Sequence, residues 1–151
     1  MVARFSYARF GSILERAAAD WAWTAREIVG RYAPGTHPLP PQPRGAIVGW
    51  RLISENNREV ARSCTFGEDD AEAHAQAAML VAAAGDLVLH TVTADRQRGN
   101  AWCATHHGVP VMMSARRYEN RSTARAAAEL CLRLLPDALL DAGPSVEPVA
   151  R

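Results

Sequence analysis

Apolar and polar positions follow the period of a helix in the N-terminal part of this chain. Between residues 10 and 31, apolar side chains recur at steps of three and four, which places them on one stripe of a helix. The stripe consists of Phe10, Ile13, Leu14, Ala17, Trp21, Ala25 and Ile28. Trp23 falls roughly opposite Trp21. The chain's own sheet or another subunit must cover this stripe, and the pattern leaves both open.

A proline-rich segment follows the predicted helix. Residues 33–45 contain Pro34, Pro38, Pro40, Pro41 and Pro43. This density excludes a helix and favours an extended, semi-rigid linker, with a docking motif for proline-binding modules as the alternative. The sequence therefore predicts an amphipathic helical appendage at 1–32, a linker at 33–45, a folded domain at 46–141 and an irregular tail at 142–151.

Within the predicted domain, one order of signals occurs twice, with an offset of about 51–52 positions. In the first copy, strands at 47–54 and 58–64 flank a turn, and a helix begins near Glu68 and ends near Ala84. In the second copy, strands at 86–93, 100–106 and 109–114 precede a helix capped by Ser122 that ends near Leu135. The first copy shows no obvious counterpart of the strand at 86–93. We therefore predict an α+β fold of two strand-strand(-strand)-helix repeats, with an antiparallel sheet packed on helices.

The order of signals in both copies resembles the YegP-like domain-of-unknown-function family. The residues that carry the resemblance lie between positions 46 and 135: Trp50, Leu52, Asn56, Asn57, Val60, Ser63 and Phe66, then Trp102, His107, Gly108, Val111, Ser114 and Tyr118. The Asn-Gly turn of the family is absent from both copies. The resemblance implies an α+β fold and self-association, and it implies no catalytic residues.

Length and composition narrow the class of protein. A chain of 151 residues can bury one ordinary core, and its formal net charge is +1. All 17 basic residues are arginine. Cys64, Cys103 and Cys131 form no Cys-x-x-Cys pair, which favours reduced thiols, and no stretch approaches the ~20 apolar residues of a membrane span. We expect a cytoplasmic protein.

No group of residues has the pattern of an active site. His106 and His107 are adjacent in sequence, and adjacent strand residues point to opposite faces, so they are poorly placed to share a metal ion. No recognisable neighbour in sequence activates Cys103. The sequence contains no phosphate-binding glycine loop and no nucleophile elbow. We therefore predict a protein that is not an enzyme and that uses no cofactor or metal.

Two kinds of surface are candidates for binding a partner. The first is a protein interface formed by the helix stripe and the sheet edges, with itself or another protein as the partner. Its candidate residues are Trp21, Trp23, Ile28, Val109 and Val111. The second, alternative surface would bind nucleic acid through Arg116, Arg117, Tyr118, Arg121 and Arg125. The near-neutral net charge argues against the second, so we predict a non-catalytic association or accessory binding module, homo-oligomeric or a small subunit of an assembly.

Overall fold

A computed structural model describes residues 2–40, 45–93 and 99–140 of the chain. Its strands are β1 (Arg4–Phe10), β2 (Ile47–Ile53), β3 (Glu59–Ser63), β4 (Val88–Thr93), β5 (Asn100–His106) and β6 (Val109–Ser114). Its α-helices are α1 (Arg16–Tyr32), α2 (Asp70–Ala82) and α3 (Arg121–Leu134). The predicted tail at 142–151 lies outside the described residues, and so do residues 94–98 between the predicted strands at 86–93 and 100–106.

All six strands join one sheet in the order β1-β2-β3-β6-β5-β4, and every neighbouring pair is antiparallel. Two groups of three strands therefore meet where β3 pairs with β6, and β1 and β4 are the outer strands. This arrangement confirms the predicted α+β class and the predicted antiparallel sheet. Asn57 takes a positive φ of 62° in the β2–β3 turn, in keeping with the tolerance of Asn for that conformation.

The sheet buries apolar residues on both of its faces. On one face, α2 and α3 cover a cluster that contains Phe5, Trp50 and Trp102. Small helix residues such as Ala73 and Ala124 let both helices approach the strands closely. On the other face, the buried side of α1 covers a second cluster. Of the predicted helix stripe, Trp21, Ala25 and Ile28 are buried against the chain's own sheet, whereas Leu14 and Ala17 are exposed and Phe10 belongs to β1.

Strand β1 corrects two predictions about the N-terminal region. The predicted helix at 10–31 starts too early, because residues 4–10 form a strand and the helix begins only at Arg16. Strand β1 pairs along its whole length with β2, so a third strand accompanies the first hairpin after all. Residues 1–32, which we predicted to form an appendage, therefore contribute β1 and α1 to the same fold.

The described part of the proline-rich segment packs on the domain. Pro38 is buried, and its carbonyl oxygen accepts a hydrogen bond of 2.7 Å from the backbone N–H of Phe66. Leu39 lies against the cluster under α1. Residues 41–44 of the predicted linker lie outside the described residues. The segment is therefore attached to the sheet at least through Pro38 and Leu39.

Trp21 fixes α1 to the sheet. Its side chain is 1% exposed, its indole N–H donates to the Ser63 carbonyl at 2.9 Å, and the Arg62 guanidinium lies 4.9 Å from its ring centroid. The ring lies over Gly49, where an added Cβ would stand 2.8 Å from Trp21 Cζ2. Glycine at position 49 therefore leaves the space that the indole fills.

Gly49→Ala should lower the free energy of unfolding by about 1–3 kcal/mol, because the new methyl group overlaps a ring that has little room to shift. Urea denaturation measures this change. Gly30→Ala is the matched control, since an added Cβ meets nothing within 4 Å there and the position is inside α1. The control should gain about 0.5–1 kcal/mol. Equal effects of the two substitutions would contradict the proposed contact.

Candidate functional site

The predicted partner-binding residues divide into buried and exposed ones. Trp21 and Ile28 are 1% and 0% exposed, so they cannot contact a partner in this structure, and their assignment is corrected. They are buried because the sheet itself covers this side of α1. Trp23 is 57% exposed on the outer side of α1, and Val109 is 42% exposed at the start of β6. Val111 is half-buried.

The predicted arginine cluster is spread over several separate contacts. Arg117 donates to Glu27 of α1 at 2.8 Å, and Arg121 donates to the Thr91 hydroxyl at 2.9 Å. Arg125 lies 3.9 Å from Glu129 one turn along α3. Arg116 lies over the ring of Tyr118, 5.6 Å from its centroid. Two of the four guanidinium groups are thus paired with carboxylates, and within the described residues Arg116 is the one of the four that lies over the aromatic ring.

The three cysteine thiols of the described residues are buried. Burial raises the pKa of Cys103 and of Cys131 to about 12, and it raises the pKa of Cys64 well above its ordinary value. All three thiols are therefore protonated and unreactive at neutral pH. The His106 and His107 rings lie 4.1 Å apart between centroids. No group of three or more His, Cys, Asp or Glu residues in the described part of the chain could hold a metal ion.

The outer edge of β4 is one candidate contact surface. Among the described strands, β4 pairs only with β5, so its other edge presents backbone groups without a strand partner. The opposite edge of the sheet differs, because Leu139 makes two backbone hydrogen bonds of 2.9 Å to the start of β1. Strand β4 contains no proline, no lysine and no acidic residue, the residue types that usually protect an edge.

A groove beside α3 is the second candidate surface. It has a volume of about 450 Å³ and lies between α3, the loop before it and the β2–β3 hairpin; we call it the α3 groove. Its floor is apolar and consists of Val60, Tyr118, Ala126, Ala127, Leu130 and Leu134. Alanine at two successive positions of the helix keeps the hollow open. Leu130 borders the groove and is 39% exposed.

The rim of the α3 groove is cationic. Arg58 and Arg116 are both exposed there, and both also border a neighbouring hollow of about 300 Å³. The carboxylate in the wall, Glu59, is already held by Arg62 and lies 3.6 Å from Arg51. Within the described residues, neither Arg58 nor Arg116 makes an ion pair or a side-chain hydrogen bond. The sequence identified Arg116 and Tyr118, but it could not indicate the groove they border.

No protein family, curated protein or solved structure matches this chain. None of the described helices combines the length and the hydropathy that a membrane crossing requires.

Proposed function

We propose that this protein is a non-catalytic association module that forms a homodimer through the outer edge of β4. The observation that carries the proposal is the contrast between the two outer strands. Leu139 covers the start of β1, whereas within the described residues the outer edge of β4 has no strand partner, and β4 itself contains no proline and no acidic residue. Strand addition to such an edge is a common mode of protein association.

We also propose that the module arose by duplication of a strand-strand-strand-helix unit. Trp50 N–H donates to Ser63 Oγ at 3.3 Å, and Trp102 N–H donates to Ser114 Oγ at 3.2 Å. The helix caps correspond as well, since Asp69 accepts from the N–H of residue 72 and Asn120 accepts from that of residue 123. We had predicted Ser122 as the cap of α3, and Asn120 is the cap instead. These equivalent bonds recur at the offset seen in the sequence.

In the proposed dimer, two β4 strands run antiparallel about a twofold axis and join the two sheets into one. A closed twofold contact uses the same surface on both subunits and therefore ends at two copies. If the two strands align symmetrically, Val88 of one copy lies opposite Thr93 of the other. Both side chains are exposed in the single chain, so both can be changed without opening the core.

Sedimentation velocity of the intact protein tests the proposal. The unaltered protein should sediment as a dimer at micromolar concentrations, and Val88→Lys/Thr93→Lys should be monomeric. In the variant, two lysines would face each other across the new strand pair, and like charges directly opposite are destabilising. Urea denaturation of the variant should show that the subunit itself stays folded.

Leu14→Lys/Met79→Lys is the control variant. It adds the same charge at two exposed apolar positions outside β4, which are 88% and 43% exposed. The control should remain a dimer. A monomeric unaltered protein, or a dimer that survives in the Val88→Lys/Thr93→Lys variant, would contradict association through β4.

A further inference from the structure

The α3 groove combines an apolar floor with a cationic rim. The apolar floor includes the side chains of Leu130 and Tyr118. The rim carries the two guanidinium groups of Arg58 and Arg116. Arginines at a protein surface commonly lie beside carboxylates, as Arg62 does here with Glu59. These two instead border open space on both sides of the rim.

We infer that the α3 groove binds a small apolar carboxylate, an acyl or aryl acid with one carboxylate and an uncharged body. The guanidinium fork matches a carboxylate in geometry and charge, and the apolar floor contributes only if the ligand has an apolar body. A volume of about 450 Å³ is within the usual range of small-molecule sites, roughly 300–1,000 Å³. This site is separate from the β4 edge, so it does not depend on the proposed dimer.

The charge of the lining favours an anion over a neutral ligand. Among the described residues that line it, the one carboxylate, that of Glu59, forms ion pairs with Arg62 and Arg51. Ser54, Asn56 and Thr123 add polar groups near the rim. A cationic ligand would meet two guanidinium groups that have no ion pair within the described part of the chain, and an anion without an apolar body would leave the floor uncovered. The lining therefore selects a molecule that is charged at one end and apolar at the other.

Isothermal titration calorimetry of the intact protein tests the inference with four defined probes. Decanoate and 3-phenylpropanoate carry a carboxylate on an acyl and an aryl body, respectively. Decanol keeps the acyl body without the charge, and acetate keeps the charge without the body. We expect saturable binding of at least one of the first two probes, and binding about tenfold or more weaker for decanol and acetate.

Two variants locate the site. Arg58→Gln/Arg116→Gln should weaken carboxylate binding by about tenfold or more and leave decanol nearly unchanged, whereas Arg125→Gln/Arg133→Gln, which lies on α3 outside the lining, should change neither. Ala126→Leu fills the floor and should abolish binding of all probes. Its matched control is Ala75→Leu, an equally exposed alanine at the equivalent position of α2.

Several outcomes would overturn the inference. The absence of saturable binding of both carboxylates would do so, as would equal affinities for decanoate and decanol. Unchanged binding in the Arg58→Gln/Arg116→Gln variant would show that the rim does not recognise the carboxylate. Unchanged binding in Ala126→Leu would place any site elsewhere. Because Ala126→Leu should leave the sedimentation coefficient unaltered, failure of this inference and failure of the proposed dimer are separate results.

Discussion

Trp50→Ala and Trp102→Ala should each lower the free energy of unfolding by about 3–5 kcal/mol, because each removes a large, fully buried ring from the cluster under α2 and α3. The two rings are 1% and 0% exposed, and the Phe5 ring meets Trp50 edge-on with 5.2 Å between centroids. Urea denaturation, followed by circular dichroism, measures the loss. A domain of this size typically has only about 5–15 kcal/mol of stability, so each substitution removes a large share of it.

Trp23→Ala is the control for this pair, because it truncates the same residue type where the side chain is 57% exposed. It should change the free energy of unfolding by no more than about 0.5 kcal/mol. If Trp50→Ala or Trp102→Ala folds with normal stability but changes the sedimentation coefficient, that tryptophan is a contact residue and its role in the core is refuted.

Alkaline pH should destabilise the fold through its buried thiols. Cys103 and Cys131 have their pKa raised to about 12 in the folded chain, against an ordinary value of 9.0, chiefly because burial disfavours the thiolate. Between these values the unfolded chain releases the proton and the folded chain keeps it. Stability is therefore fully present below pH 9 and is lost as the pH rises towards 12, at roughly 1–1.5 kcal/mol per pH unit for each thiol.

The double variant Cys103→Ala/Cys131→Ala isolates this effect from other alkaline titrations. Its stability at pH 8 should be lower than that of the unaltered protein, because the Cys131 thiol also donates to the Val60 carbonyl at 3.3 Å. Its stability should then fall less steeply with pH, by roughly 2–3 kcal/mol per unit, in urea titrations with reductant between pH 9 and 11. Parallel pH profiles for the two proteins would show that the thiols ionise in the folded state.

Local pattern was sufficient to predict the elements from β2 onwards. Alternation around Trp50 and Trp102, turn residues such as Asn57, and alanine-rich helical runs lie within short stretches of chain. The pairs β2–β3, β4–β5 and β5–β6 join strands that are neighbours in sequence, so the local pattern reflects the actual pairing. The fold class followed from the order of these elements.

Strand β1 and the α3 groove could not be predicted in this way. Strand β1 pairs with a strand that lies beyond α1 and the proline-rich segment, and the apolar residues from Phe10 onward continue into a helical period that obscured its end. The groove brings Arg58, Arg116 and Leu130 together from three separate elements. No spacing in the sequence indicates that these three residues lie close together, because their proximity depends on the pairing of β3 with β6.

The placement of α1 between β1 and β2 has a consequence for how the chain assembles. Residues 11–46 separate those two strands, whereas only residues 94–99 separate β4 from β5. Closing the longer connection costs on the order of 1 kcal/mol more chain entropy, because that cost grows with the logarithm of loop length. Nucleation of the β4-β5-β6-α3 half therefore costs less chain entropy than nucleation of the other half. We therefore expect strand β1 and α1 to dock late, onto a sheet whose other strands have already formed.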